Sequence, residues 1–302
     1  EYLYNEKNGK GKKYRNGILK FEGEYLNGKR SGKGKEYNND GQLIFEGIYI
    51  YDTKYRGKEF INEKLSFEGE YLLDKKWNGT GYDKNGKIIY ELSDGNGNIK
   101  EYNDDGELEF EGEYLNGEKN GKGKEYRNGD LRFDGEYLNG EKNGKGKEYR
   151  RGDLKFEGEY FKGNKTGLGK EFDNGKLIFE GEYKNDKKFN GKLYKNGKLE
   201  FYGEFKNDEK WNGNGYDHKG RIIYILYEGR GTIKEYSDDG KLEFEGEYLN
   251  GEKNGPGKEY NKDGKLSFEG QYLNGERIGK GKEYDKKGKL EFEGEYLNGK
   301  RE

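Results

Sequence analysis

Residues 110–126 read FEGEYLNGEKNGKGKEY, and the string returns from Phe133 with one change, Asp134 for Glu111. Leu108, Phe110, Gly112 and Tyr114 alternate with Glu107, Glu109, Glu111 and Glu113. This period of two predicts a β-strand with the glutamates on the opposite face. The dipeptide Asn-Gly that follows is typical of a hairpin turn, after which the chain returns as a second strand. The motif therefore predicts one β-hairpin.

The Phe of this motif recurs every 22 to 24 residues, apart from two gaps of 43 residues. Each gap holds a degenerate repeat, starting at Tyr90 and Tyr224. The motif positions are Phe21, Phe45, Phe67, Phe110, Phe133, Phe156, Phe179, Phe201, Phe244, Phe268 and Phe292. The period predicts an all-β, elongated, single-layer array of stacked antiparallel hairpins, with about 22–24 residues per repeat.

The deviations from the motif recur as well. Tyr55 and Phe189, Trp77 and Trp211, and Tyr90 and Tyr224 are each 134 residues apart. The sequence therefore predicts that residues 1–302 form one continuous array with an internal duplication. Its parts are a partial repeat at 1–20, a first copy of six repeats at 21–154, a second copy at 155–291 and a partial repeat at 292–302. Since the chain contains no Met, we expect a processed product or a segment of something longer.

Glycine inside a strand usually weakens a sheet, so its recurrence needs a physical reason. Gly112 lies between Phe110 and Tyr114 on one face, and Gly121 and Gly123 lie on the partner strand. The missing side chains leave room for neighbouring aromatic rings to lie flat on the backbone. We expect this ring-on-glycine packing to replace an aliphatic core, with Tyr126 as a further member of the repeat core.

Tyr126 breaks the alternation, because it has the parity of Lys122 and Lys124 and not that of the glycines. Either its ring faces solvent, or a β-bulge near Lys124–Glu125 turns it inward. We favour the bulge.

These residues resemble the MORN repeat (membrane occupation and recognition nexus), whose pattern is Y-x-G-x-[W/Y]-x-x-G-x-x-x-G-x-G. The matching positions are Phe110, Gly112, Tyr114, Gly117, Gly121 and Gly123. The resemblance covers essentially the whole chain, and Tyr126 followed by NGDL resembles the variant found in some bacterial antitoxin-like proteins. It implies an elongated hairpin array that acts in protein interaction, scaffolding or self-association. Lipid binding has also been proposed for the family.

Four repeats have a shortened second strand, and in each an aromatic residue takes a place that is usually Lys or Arg. These residues are Tyr55, Trp77, Phe189 and Trp211. They can form a row of exposed rings that contacts a partner, or each ring can fill the space left by the two deleted residues. The correlation with the deletion favours space filling, and the four residues remain the candidate partner contacts.

The two degenerate repeats deviate in a concerted way. Leu92 and Ile99 replace strand glycines in the first, as Leu226 and Ile233 do in the second, and Asp94 stands where the matching Tyr would be. Where the ring is lost, aliphatic side chains take the glycine positions. This compensation supports the ring-on-glycine interpretation.

The composition argues against catalysis. The chain is 40% charged with a net charge of −2, has no Cys, and has one histidine, His218, in a predicted turn. The chain therefore has too few Cys and His residues to build a transition-metal site or a nucleophile–histidine pair. The carboxylates recur identically in every repeat, as on a solvated strand face, and Asn103–Gly106 and Ser237–Gly240 are typical of β-turns. We expect no enzyme, no cofactor and no metal.

The expected partners are proteins or further copies of the chain. Acidic and basic residues are mixed at short range, which disfavours nucleic acid, and no apolar run approaches the roughly 18 residues of a membrane span. Membrane lipid has weak support, and a small-molecule ligand is not expected. Location is open, with the cytoplasm favoured over a processed extracellular assembly. The leading hypothesis is a rigid scaffold; a filament or surface-fibre subunit and an antitoxin or immunity-type binder are the alternatives.

Overall fold

The computed structural model describes residues 2–3, 6–237 and 239–302. Within these residues all regular structure is β-strand and no helix occurs. The chain divides into two compact units, Glu1–Gly152 and Asp153–Glu302, called here the N-terminal half and the C-terminal half. The prediction of an all-β array of consecutive antiparallel hairpins is confirmed.

The strands of the N-terminal half are β1 (Tyr2–Leu3), β2 (Glu6–Lys7), β3 (Gly9–Arg15), β4 (Ile18–Leu26), β5 (Lys29–Tyr37), β6 (Leu43–Ile50), β7 (Thr53–Ile61), β8 (Lys64–Leu72), β9 (Lys75–Tyr82), β10 (Ile88–Leu92), β11 (Gly97–Tyr102), β12 (Leu108–Leu115), β13 (Glu118–Arg127), β14 (Asp130–Leu138) and β15 (Glu141–Arg150). Strands β3 to β10 pair in chain order, as do β11 to β15. The short strands β1 and β2 pair with each other.

The strands of the C-terminal half are β16 (Asp153–Phe161), β17 (Asn164–Asp173), β18 (Lys176–Lys184), β19 (Lys187–Lys195), β20 (Lys198–Lys206), β21 (Glu209–Tyr216), β22 (Ile222–Leu226), β23 (Gly231–Tyr236), β24 (Leu242–Leu249), β25 (Glu252–Tyr260), β26 (Leu266–Leu273), β27 (Glu276–Tyr284), β28 (Leu290–Leu297) and β29 (Lys300–Arg301). Strands β16 to β22 pair in chain order, and β23 to β29 do the same.

Each full-length hairpin closes on a two-residue turn. Asn116 and Gly117 both have positive φ, at 54° and 75°, which is the geometry that matches the twist of the flanking strands and that Asn-Gly adopts readily. The pairing then places Phe110 opposite Glu125 and Gly112 opposite Gly123. The turn chemistry therefore sets the register that brings the glycines together.

Aromatic rings lie over these paired glycines, as the sequence predicts. Phe110 is fully buried, and a Cβ on Gly123 would lie 2.6 Å from its ring. The Phe110 ring also meets the Tyr137 ring of the next hairpin edge to face, with centroids 5.4 Å apart. Such a pair contributes about 0.5–1.5 kcal/mol beyond the buried area. The repeats thus cohere through one layer of rings on what we call the aromatic face.

Gly121 has a different role from the one expected. Three residues of β13 lie opposite Glu113 alone, so the strand bulges there, and Gly121 adopts a φ of +83°. The atom nearest to a Cβ at this position would be a carboxylate oxygen of Glu113, not a ring atom. The prediction that Gly121 provides a ring slot is wrong, because this glycine supplies the left-handed backbone of the bulge.

Tyr126 stays on the opposite side of the sheet, which we call the outer face and which carries Glu111, Lys122 and Lys124. Its hydroxyl donates a hydrogen bond of 2.7 Å to Glu111, and burial and this bond raise the pKa of Tyr126 to about 12. The prediction that a bulge turns Tyr126 inward is wrong. A register shift does occur beside Tyr126, but the extra residue, Arg132, belongs to the neighbouring strand and leaves the alternation of β13 intact.

The aromatic face also carries charge, which the sequence analysis missed. Glu125 lies between Lys119 and Lys142, at 3.7 and 3.4 Å. The ammonium group of Lys119 lies 4.2 Å from the centroid of the Phe110 ring, and that of Lys142 is equally close to Phe133. All three charged side chains are only 24% to 31% exposed. We call such contacts the inner ion pairs, and they cover the rings.

Further inner ion pairs occur in the same half. Glu59 lies 3.0 Å from Lys76 and 3.5 Å from Lys54. Burial acts to raise the pKa of Glu59, but the two ammonium groups outweigh it and the pKa is lowered. The parity of Glu125, which equals that of the glycines, is the sequence signal that would have placed these carboxylates on the aromatic face.

The degenerate hairpins interrupt the pairing within each half. Strand β10 pairs with β9, and β11 pairs with β12, yet between β10 and β11 the described pairing is one isolated bridge, Ser93 to Asn96. Leu92 and Ile99 are 5% and 1% exposed, which confirms that aliphatic side chains are buried in place of glycine. The corresponding residues Leu226 and Ile233 are each 2% exposed.

Candidate binding surface

The paired glycines form a continuous row across neighbouring strands. In β12 to β15, Gly112 lies opposite Gly123, which lies opposite Gly135, which lies opposite Gly146. Rings cover this row on the aromatic face. On the outer face the glycines leave bare backbone, which becomes the floor of a groove.

Charged side chains before and after each glycine form the two borders of this groove. In β3 to β8 one border is a row of cross-strand ion pairs, with distances of 3.2 to 3.5 Å; they are Lys12–Glu22, Lys35–Glu46 and Lys58–Glu68. The other border includes Lys33, Ile48 and Arg56. Because the side chains of the ion pairs are 33% to 57% exposed, each pair adds little stability and can exchange its partner.

An equivalent groove lies in the C-terminal half. Gly246, Gly257, Gly270 and Gly281 form its floor in β24 to β27. Its borders include the Lys282–Glu293 ion pair, at 3.6 Å, and the chain's single proline, Pro256. The groove is therefore a property of the repeat and recurs wherever consecutive strands carry the glycine.

The four aromatic residues of the short repeats all lie at bulges. Tyr55, for example, is the unpaired residue between Lys54, opposite Tyr49, and Arg56, opposite Ile48. The prediction that two residues are deleted is wrong: a short repeat lacks one residue of the bulge, which leaves one extra residue in place of two, and the aromatic side chain belongs to that residue. The same pairing holds at Trp77, Phe189 and Trp211.

Their surroundings differ. Tyr55 and Phe189 remain 49% and 47% exposed. Trp77 packs against the turn of the first degenerate hairpin, where its carbonyl accepts a 2.8 Å bond from the N–H of Gly95 and a Cβ on Gly95 would lie 2.9 Å from its ring. Trp211 has the same relation to Gly229. The tryptophans therefore have an intramolecular packing role.

The polar turns have ordinary structural roles. His218 is exposed in a turn, as predicted, and the neighbouring Asp217 accepts bonds from the backbone of Lys219 and Arg221. These bonds, with the Arg221 side chain, lower the pKa of Asp217 to about 2. Asn103 caps its turn through a bond from the N–H of Glu107.

Ser237–Gly240 also closes as a turn, although Asp238 lies outside the described residues. In the part of the chain that the structure describes, no three His, Cys, Asp or Glu side chains converge as metal ligands. That part also has no helix long and apolar enough to cross a lipid bilayer.

A search against family models identifies the repeats. The MORN repeat matches residues 21–42, 110–131, 133–153 and 244–265. The MORN repeat variant matches residues 166–185, 230–250 and 277–298. The chain belongs to the MORN repeat proteins, and repeats of both types occur along it. No curated protein matches the chain as a relative.

Proposed function

We propose that this chain is a non-catalytic scaffold that binds protein partners along the outer-face groove. The observation that supports this function is the bare glycine row between charged borders, which recurs in both halves. A site repeated along an array suits recognition of an extended partner or of several partners at once.

The groove has the physical properties of a protein-binding surface. Its floor is held by the strand ladder, so little conformational entropy is lost when a partner binds. The absence of side chains lets a partner backbone approach closely, while exposed lysines and glutamates of alternating sign can pair with charges of either sign. Electrostatic complementarity along the borders would then select the partner and its register.

Other ligand classes fit this surface less well. Both nucleic acid and an anionic membrane call for a segregated basic face. Here a glutamate lies beside each lysine of the ion-paired border, as in Lys12–Glu22 and Lys35–Glu46. The borders therefore favour a polypeptide with charges of both signs.

Two narrower hypotheses name the partner. In a filament or surface fibre the groove or the strand edges would bind a second copy of the chain, and in an antitoxin or immunity-type protein they would bind a toxin. Either would use the rigid array as its framework, so the identity of the bound protein separates them.

Site-specific photocrosslinking in the native cells tests the proposal. A benzophenone side chain at Lys33, on the groove border, is compared with one at Lys84, in an exposed turn. We expect a discrete protein adduct from position 33 alone, suppressed by excess wild-type chain and not by a chain carrying Lys33→Glu and Lys35→Glu. Adducts of equal yield from both positions, or adducts only with lipid, would refute it. An adduct with the chain itself supports the filament, and one with a toxin supports the antitoxin.

A further inference from the structure

The proposed duplication provides an internal comparison at one end of the groove. Tyr202, Ile225 and Tyr227 of the second copy lie 134 residues after Glu68, Glu91 and Ser93 of the first. Both sets have the same strand environment, since Gly69 pairs with Gly79 as Gly203 pairs with Gly213. Apolar or aromatic side chains thus replace two glutamates and a serine at equivalent places.

These three side chains are exposed. Tyr202 is 47% exposed, Ile225 is 65% exposed and Tyr227 is 72% exposed. The core below is the same in both copies, because Tyr90 and Tyr224 are each 7% exposed and a leucine is buried beside each. The first copy builds this fold with polar residues at the three positions, so folding does not require the apolar ones.

The three side chains share the outer face at the end of the glycine row of β16 to β21, in which successive strands pair Gly158, Gly169, Gly181, Gly191, Gly203 and Gly213. Asn214, on the middle strand of three, pairs with Tyr202 on one neighbouring strand and with Ile225 on the other. Tyr227 is two residues beyond Ile225 and therefore projects to the same side. Leu226, between them, is buried and pairs with Gly213, the last glycine of the row. Tyr202 and Ile225 thus extend the border of this glycine row that contains Lys192, and Tyr227 extends the border on its other side.

The charge at this place also differs between the copies. Arg230 is bridged to Tyr227 and exposed, whereas the first copy has Asn96 at the equivalent position. In the first copy Lys58 pairs with Glu68 at 3.5 Å. In the second copy Tyr202 replaces Glu68. Lys192, the counterpart of Lys58, pairs instead with Glu180, at 3.2 Å. Two carboxylates are lost and one guanidinium is gained.

We propose that Tyr202, Ile225, Tyr227 and Arg230, called the second-copy patch, bind an extended acidic protein segment with apolar side chains. The inference rests on the proposed scaffold function and assigns its partner a chemistry. Tyrosine and arginine are the residue types that dominate binding energy at protein interfaces. The groove floor would accommodate the backbone of the segment, its apolar side chains would contact the two tyrosines, and its carboxylates would pair with Arg230.

Selection from displayed peptides tests the assignment with the full chain. The probes are two random libraries of equal length, one encoding Asp, Glu, Leu, Phe and Tyr and the other encoding Lys and Arg in place of the acids. We expect enrichment from the acidic library alone. The affinity of the enriched peptides, measured by fluorescence anisotropy, should fall about tenfold or more with Tyr202→Glu, Ile225→Glu and Tyr227→Ser combined. Arg230→Asn should weaken binding severalfold and reduce its salt dependence.

The first copy provides matched controls. The combined variant installs residues with which the first copy already folds, so its thermal midpoint should stay close to that of the wild type. The reciprocal set, Glu68→Tyr, Glu91→Ile, Ser93→Tyr and Asn96→Arg, should add a second peptide site and change the stoichiometry from one to two. If the patch variant bound the peptides as well as wild type does, the inference would be wrong.

Other results separate this inference from the scaffold function. Peptides lost with Lys33→Glu and Lys35→Glu, and not with the patch variant, would leave the scaffold in place and overturn the patch. Enrichment from neither library, together with no protein adduct at Lys33, would overturn both. The patch would also be refuted if it drove binding to phosphatidylserine vesicles, or self-association in sedimentation velocity, without binding acidic peptides.

Discussion

A full-length hairpin and a degenerate hairpin place the same aromatic position over different strands. In the hairpin of residues 110–126, the Phe110 ring lies over glycines of its own and the next strand. In the hairpin of residues 90–102, the Tyr90 ring lies over Gly81 of the preceding strand and stacks on Phe67, with ring planes at 19°. The ring therefore follows the glycine.

The reason is the distribution of space around each ring. Leu92 and Ile99 occupy the places that glycines leave open elsewhere, and Gly81 stands where a full-length repeat has its inner glutamate, opposite the motif Phe. One inner ion pair is thus replaced by a ring. The degenerate hairpin loses most of the pairing between its own strands, but Leu92 and Ile99 stay buried. The strand ladder is therefore divided without exposure of the core.

The largest expected effect is removal of a ring from a full-length repeat. Phe110→Ala should lower the free energy of unfolding by about 3–5 kcal/mol, because the ring is fully buried and its glycine floor cannot fill the cavity. Urea unfolding measures it. Tyr126→Ala, on the outer face of the same hairpin, is the control and should cost about 1 kcal/mol. Equal losses would contradict the assignment of the two faces.

Restoring the repeat glycine in the degenerate hairpin should also destabilise the fold. Ile99→Gly removes a buried side chain where no ring is available to cover the backbone, at a cost of about 3 kcal/mol. Asn98→Gly, at an exposed position on the same strand, controls for backbone entropy and should cost about 1 kcal/mol or less. A neutral Ile99→Gly would mean that the Tyr90 ring can swing over the new glycine.

Adding one methyl group under a ring tests the full-length hairpin, where a glycine lies beneath the ring. Gly123→Ala places a Cβ 2.6 Å from the Phe110 ring and should cost about 1–3 kcal/mol through displacement of the ring. Gly129→Asn is the control, because nothing lies within 4 Å of a Cβ there and Asn tolerates its positive φ. Its thermal midpoint should change little; a comparable loss in both variants would show that glycine entropy, and not space, is decisive.

An inner glutamate should contribute more than an exposed one. Glu125→Gln weakens contacts with both Lys119 and Lys142 over the rings and should cost about 1 kcal/mol. Glu91→Gln, at an exposed position of the degenerate hairpin, should change stability by less than about 0.5 kcal/mol. The unfolding midpoints in urea distinguish the two, and equal midpoints would mean that the inner ion pairs add nothing beyond a surface pair.

The smallest effect is a pH dependence on the outer face. The pKa of Tyr126 is raised to about 12 in the folded chain, above the value of about 10 for an unfolded chain. Its contribution is therefore fully present below about pH 10 and lost as the pH rises toward 12. Tyr126→Phe should remove this part of the alkaline loss of stability. Urea unfolding of the wild type and the variant at several pH values between about 10 and 12 measures the difference.

Sequence reasoning reached the hairpin, the turn and the ring-on-glycine contact, because each depends on neighbours along one or two strands. It misplaced Gly121 and Tyr126, since the effect of a bulge depends on which strand holds the extra residue. It also missed the inner ion pairs and the groove, although the parity of Glu125 and the alignment of Gly112 with Gly123 were present in the repeat. Sequence reasoning assigned Trp77 and Tyr55 the same role. Only the structure shows that Trp77 packs against a neighbouring turn and that Tyr55 remains exposed.

The sequence by itself determined the repeat, its β-structure and the residues that pack as a core, because a period of two and an Asn-Gly turn act locally. Only the tertiary structure decided which face each charge occupies and where the strand ladder is interrupted. Those outcomes depend on space between strands, namely on whether a glycine lies beneath a given ring, and no single strand contains that information.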